Sequence, residues 1–172
     1  VFRECALGAR LRGLRIAASC TGGAVDLKGV RGNVSIEDCE ISNDLSAGII
    51  FEGCTGDFAI SHCVVNGCKY DGLGLHPLKR KSSHSGSVMI TKCRFEGNGY
   101  DGLYLGDPRF KVKILRTRVA GNKRHGIFVR GTTLELEETE PEGNGQEAIH
   151  QEAFAPPKAT AEAAGARQEP QA

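Results

Sequence analysis

The chain has 172 residues, 40% of them hydrophobic, with 23 glycines, no tryptophan and a formal net charge of +1. That length suits one domain with enough apolar material for a core, and the glycine content argues for a turn-dense β array over a helical bundle. The near-neutral balance names no charged partner, and no apolar run approaches the roughly 20 residues needed to cross a bilayer.

Taken in order, the chain opens with Phe2-x-x-Cys5-x-Leu7, a strand signal that starts a coil at the first residue. Both Gly13-Leu14-Arg15-Ile16 and Ala24-Val25-Asp26-Leu27 then resemble a returning strand, so one of the two reads as an insertion and the first coil as irregular. With no initiator Met before Val1, the chain is expected to be one monomeric domain of a longer protein.

From Val34 a register sets in. Ile36, Ile60, Ile90, Ile114 and Leu136 form one column, and Cys39, Cys63, Cys93, Thr117 and Thr139 form a second, spaced 24, 30, 24 and 22 residues apart. Gly48, Gly72, Gly102, Gly126 and Ala148 form a third, each followed by an apolar-x-apolar pair such as Leu103-x-Leu105. The match is closest between Val88–Gly106 and Val112–Gly131, at a period of 24. Such self-similarity means a stacked array whose units bury their apolar faces only against one another. Alternation is the period of a strand with one buried face, and Gly-Asn between the two strand signals supplies a turn. The pattern predicts an all-β parallel β-helix of about six coils of 22–24 residues, spanning 1–152, with an irregular first coil and a capping last one. Equivalent residues then lie about 4.8 Å apart, and the crossover preference favours right-handed coiling.

Between Leu75 and Ile90 the spacing grows by six residues, and the extra material includes Lys79, Arg80 and Lys81 followed by Ser82 and Ser83. This basic loop is read as a solvated excursion from a rigid scaffold; a nucleic-acid contact or a phosphorylation site is the sharper alternative. From Pro108 to Leu134 there are eight basic residues and no acidic one; from Glu135 to Glu147 there are six acidic residues and no basic one. Stacking sets Lys113 against Glu135 and Arg116 against Glu138, so the two blocks are expected to cancel, with an anionic ligand at the basic coil as the alternative. Leu136 to His150 reads as the terminal coil, because Pro141 cannot donate to a ladder. Residues 153–172 lose the period and read as a flexible tail.

Seven cysteines, three of them in one inward column where Thr substitutes in later coils, read as free thiols of a reducing compartment, hence cytoplasmic or nuclear sooner than secreted. Cys63-x4-Cys68 with His62 or His76 nearby has no second pair at ligand spacing, so no metal and no cofactor is expected.

The pattern I-x-x-C-x-I-x-x-G-N-x-x-x-G-I-x-V, over roughly Val34 to His150, resembles the right-handed parallel β-helix repeat shared by carbohydrate-binding proteins, sugar hydrolases and lyases, and by the β-helix domains of some eukaryotic F-box-type proteins. The resemblance implies the fold, and with it either a binding scaffold or sugar chemistry. The polygalacturonase-like set of paired Asp residues with Gly-His-Gly is not found, and Leu75-His76-Pro77 lacks the Asp of the epimerase Asp-Pro-His.

One constellation is left for chemistry. The position before the column glycine holds Asp71, Asp101, His125 and Glu147 in consecutive coils, preceded by Tyr70, Tyr100, Arg124 and Gln146. Stacked carboxylates repel and require a raised pKa, a cation or a basic neighbour. Asp-Gly is also an ordinary turn pair. Tyr70, Asp71, Tyr100, Asp101, Arg124 and His125 are therefore the candidate ligand-binding residues, and Asp71, Asp101 and His125 the weaker catalytic ones. The expected function is a rigid module recognising a partner protein or a polysaccharide through this lateral face, without membrane or nucleic-acid partners. A polysaccharide lyase, epimerase or hydrolase is the alternative.

Overall fold

Five successive coils are each built from three short strands, one more than the apolar alternation marks; in the last coil the middle strand is reduced to a single bridge at Glu142. In the coil containing Cys39 the three are Val34–Glu37, Glu40–Asn43 and Ile49–Glu52. The computed structural model describes residues 2–3 (backbone only), 8–77 and 86–153, so the basic loop at Lys79, Arg80 and Lys81, together with Cys5 and the tail from 154, lies outside the described residues. Strands stack into three parallel sheets of seven, six and five strands, and the described residues make about six turns with no helix.

Like stacks on like throughout. In the six-stranded sheet Leu11, Ile36, Ile60, Ile90, Ile114 and Leu136 are successive partners. In the five-stranded sheet the inward file is Ile16, Ile41, Val65, Phe95 and Val119. In the seven-stranded sheet Leu27, Phe51, Leu75, Leu105 and Val129 do the same. Phe51, Phe58, Phe95 and Phe110 are the bulkiest fully buried side chains, and Phe51 stacks on Phe58 at 4.7 Å. Each fully buried apolar side chain contributes roughly 1.5–3 kcal/mol, and these columns supply the cohesion between coils.

The first coil differs from its sequence reading. Ala9–Arg12 pairs with Val34–Glu37, Arg15–Ala18 with Glu40–Asn43 and Val25–Lys28 with Ile49–Glu52, so both segments that compete for the returning strand have a place and neither is an insertion. Phe2 pairs with Leu27, which puts Phe2–Arg3 in the seven-stranded sheet, not at the start of the coil. The expectation of two strands per coil caused the error: Gly13 and Leu14 form a bend, and Arg15 and Ile16 open an additional, middle strand.

Each coil bends at the same point between the six- and five-stranded sheets. Asp38, His62, Lys92, Arg116 and Glu138 adopt φ of 47–53°, a left-handed conformation costly for side-chain-bearing residues, with Gly13 at the same place in the first coil. The residue that follows turns a small polar atom inward. Cys63 N–H donates to Cys93 Sγ at 3.5 Å, Cys93 N–H to Thr117 Oγ1 at 3.2 Å and Thr117 N–H to Thr139 Oγ1 at 3.1 Å. Cys and Thr interchange because each accepts a buried backbone N–H of the preceding coil. None of the six described cysteines is bridged. Burial pushes the Cys68 thiol up to about 11, keeping it protonated.

A second ladder lies at the opposite bend and has no counterpart in the sequence reading beyond a turn. Asn122 Oδ1 accepts the Asn98 N–H at 3.0 Å and Asn98 Nδ2 at 2.9 Å, and Asn144 repeats both contacts to Asn122 at 3.0 Å. The Gly preceding each Asn supplies the positive φ, 62° at Gly97 and 64° at Gly121. The column glycines have another reason: a Cβ on Gly72 or Gly102 would stand 2.7 Å from the carbonyl oxygen of the next coil.

Candidate ligand-binding face

The candidate residues sit at the corner where the chain leaves the five-stranded sheet and enters the seven-stranded one. After the Asn ladder the backbone pairs tightly with its neighbours: Tyr100 N–H donates to Tyr70 C=O at 3.2 Å, Arg124 N–H to Tyr100 C=O at 3.0 Å and Gln146 N–H to Arg124 C=O at 2.8 Å. Residues 70, 100, 124 and 146 therefore form one file, and 71, 101, 125 and 147 the next. Alternation sends the first file outward and turns the second towards the body.

In the inner file the acids bind across coils. Asp71 Oδ1 accepts the Asp101 N–H at 3.0 Å, and Asp101 Oδ1 accepts the His125 N–H at 3.0 Å and meets His125 Nδ1 at 2.9 Å. Asp101 is only 1% exposed and His125 5%, so both members of this pair are buried. Arg124 Nε lies 3.9 Å from the same carboxylate oxygen. Asp71 is half-buried. Burial pushes its carboxyl up to about 6; the Asp101 charge adds to this, and the Asp101 N–H bond and Arg124 oppose it.

In the outer file Tyr70 and Tyr100 meet edge-to-face at 5.4 Å and 82°, with Lys69 over the Tyr70 ring and Arg124 over the Tyr100 ring at 5.2 Å. Leu45 sits one residue before Ser46, whose C=O accepts the Tyr70 N–H at 3.4 Å. Among the described residues the exposed large hydrophobic side chains are Leu14, Leu45, Tyr70, Met89 and Tyr100. Three of these five, Leu45, Tyr70 and Tyr100, lie on successive coils at this corner, so it carries a stripe of exposed apolar side chains.

Beside the stripe, on the outer side of the seven-stranded sheet, runs a ring file the sequence reading missed. His76, Tyr104, Phe128 and His150 stack at 4.9, 5.2 and 5.1 Å with interplanar angles of 11–24°. The signal was available, because Tyr104, Phe128 and His150 share the middle position of the returning strand. His76 lies over Gly74, where a Cβ would stand 2.4 Å from its Nε2. These rings cover one another's faces and turn edges outward, which makes a stiff wall; the ring surface left for a ligand belongs to Tyr70 and Tyr100.

The charged blocks are paired as the stacking predicts. Lys113 bonds Glu135 at 2.8 Å and Glu137 at 2.9 Å, Arg116 bonds Glu138 at 2.9 Å, and Arg118 reaches Glu96 and Glu142. Among the described residues no helix is long and apolar enough to cross a membrane.

Fold and columns together define a parallel β-solenoid with one decorated corner. A family profile described as "Right handed beta helix region" matches residues 11–155. The chain belongs to that right-handed β-helix family. No curated protein and no solved structure matches the chain.

Proposed function

We propose that the chain is a rigid binding module whose ligand surface is the corner carrying Leu45, Tyr70, Asp71, Tyr100 and Arg124, and that the ligand is a linear carbohydrate lying along the stack of coils. The supporting observation is the run of exposed apolar and aromatic side chains on consecutive coils, with a carboxyl and a guanidinium beside it. Sugars present apolar faces to rings and hydroxyls to charged groups, and a backbone tied into three sheets holds those groups in place with little ordering cost on binding. His125 and Asp101 support this surface from beneath. The buried free thiols support a reducing compartment. A glycan array probed with wild-type protein and with Tyr70→Ala and Tyr100→Ala tests the reading. Binding to a carbohydrate that both variants lose supports it, whereas retention of every glycan by both variants, or capture of a protein in place of any glycan, removes it.

One observation favours the enzymatic alternative. Asp71, at the edge of the stripe, has a pKa of about 6, suited to acid or base work near neutrality. Product formation from polyuronates that disappears in Asp71→Asn is its test, and a screen of charged and neutral polysaccharides without product counts against it.

A further inference from the structure

We infer that the last two coils hold a site for a single divalent transition-metal ion, with zinc as the type ion, formed by His125, Glu147 and His150. One ligand atom from each lies within 4.8 Å of the other two. His125 and His150 come from successive coils and stack at 4.6 Å, while Glu147 follows His125 in the inner file and precedes His150 by three residues. Two imidazoles and one carboxylate are a borderline-soft donor set suited to zinc, and three protein ligands leave a fourth position for water or an oxygen of a ligand.

The supporting shell is already built. A ring nitrogen facing a carboxylate is the donor, so the Asp101 contact makes Nδ1 the protonated nitrogen of His125 and leaves Nε2 with its lone pair. Asp101 is buried and held in turn by the His125 N–H, so it cannot swing away to become a ligand itself. This carboxylate–histidine arrangement fixes the tautomer and orientation of a metal-binding imidazole. The other two donors are accessible: the Glu147 side chain is 61% exposed and that of His150 32%, so both can rotate to close on an ion about 2.0–2.1 Å from each donor. His150 Nδ1 already contacts Glu147 Oε2, and its other nitrogen is 3.6 Å from Glu152. The acids that would neutralise the ion are thus on the spot.

Neither the repeat nor the sugar-binding reading requires this site. It spans the two coils beyond that of Tyr100, and the residues varied to test it, Glu147 and His150, lie on the second of these, so its loss and the loss of carbohydrate binding are separable.

The experiment is calorimetric titration of zinc chloride into the untagged, chelator-treated full chain, repeated on His150→Gln, Glu147→Gln and Cys20→Ser, with cobalt(II) absorption as a second readout. Cys20 is the exposed thiol among those described and is the competing explanation. The site predicts one equivalent bound, affinity at least about tenfold weaker in His150→Gln and in Glu147→Gln, and no change in Cys20→Ser. Cobalt(II) should show visible d–d bands without a thiolate charge-transfer band. Glu147 is exposed and His150 half-buried, and neither belongs to the apolar core, so both variants are expected to fold, which circular dichroism checks. Absence of saturable binding, unchanged affinity in His150→Gln, or binding that disappears in Cys20→Ser overturns the inference.

Discussion

The outer side of the six-stranded sheet and the Tyr70–Tyr100 corner obey the same stacking rule and reach opposite results. On the sheet, successive coils set opposite charges side by side, Arg10 on Glu37 at 3.2 Å and Lys113 on Glu135 at 2.8 Å, so the surface cancels itself. At the corner, successive coils set like on like, Tyr on Tyr and Asp on Asp, and the acids accept backbone N–H groups of the next coil. A solenoid repeats whatever its columns carry. Complementary columns make a scaffold, and columns of the same kind leave chemistry unspent.

The largest effect expected from breaking this contrast is at Asp101. Asp101→Ala removes the acceptor of the His125 backbone N–H and of its ring nitrogen, leaving two buried donors unpaired at a cost of about 2–5 kcal/mol, measurable by chemical denaturation. An equally stable variant would mean that the corner is wetter than its burial implies. Next comes Asp71. Its folded-state pKa, about 6, lies above the ordinary carboxylate value, so its contribution to stability is fully present below about pH 4 and is lost as pH rises through 6. Melting curves between pH 4 and 7 should show wild type losing about 1–3 kcal/mol relative to Asp71→Asn, which keeps the acceptor oxygen but not the charge. Parallel curves for the two proteins would contradict this.

Binding provides the sharper contrast. Tyr100 and Met89 are exposed alike, 43% and 41%, on the two regions compared. Tyr100→Ala should weaken carbohydrate affinity about tenfold with little change in melting, and Met89→Ala should leave affinity unchanged. Equal effects from the two would dissolve the distinction between the faces. The smallest effect is expected at Lys113→Gln. Its pKa is raised to about 12, chiefly by hydrogen bonds to Glu135 and then Glu137, but the pair is solvent-screened, so salt should erase what little melting shift the variant shows and binding should not respond.

Much of this was legible in the sequence because a solenoid converts sequence period into spatial adjacency. Cys63 beside Cys93, Asp71 beside Asp101 and Arg116 beside Glu138 all follow from counting. What counting missed has physical reasons. The strand Arg15–Ala18 carries too short an apolar signal to separate from its neighbours, so the first coil was read as irregular. The Asn98–Asn122–Asn144 ladder looks in sequence like three separate turns, because every side-chain bond that makes it runs to a neighbouring coil and none is visible within one repeat. The burial of Asp101 and His125 depends on which way a corner folds, which column spacing leaves open. His150 joins His125 only because the returning strand lifts its middle position onto the same side.

The central claim, that a ligand lies along this one corner, has a built-in reporter. The chain has three tyrosines and no tryptophan, so emission excited above the phenylalanine band comes from Tyr70 and Tyr100 in the stripe and Tyr104 in the ring file beside it. Titrating wild-type protein with linear oligosaccharides while following tyrosine emission should give a saturable change for at least one of them. A panel that calorimetry shows to bind without altering that emission, or that does not bind at all, contradicts the account.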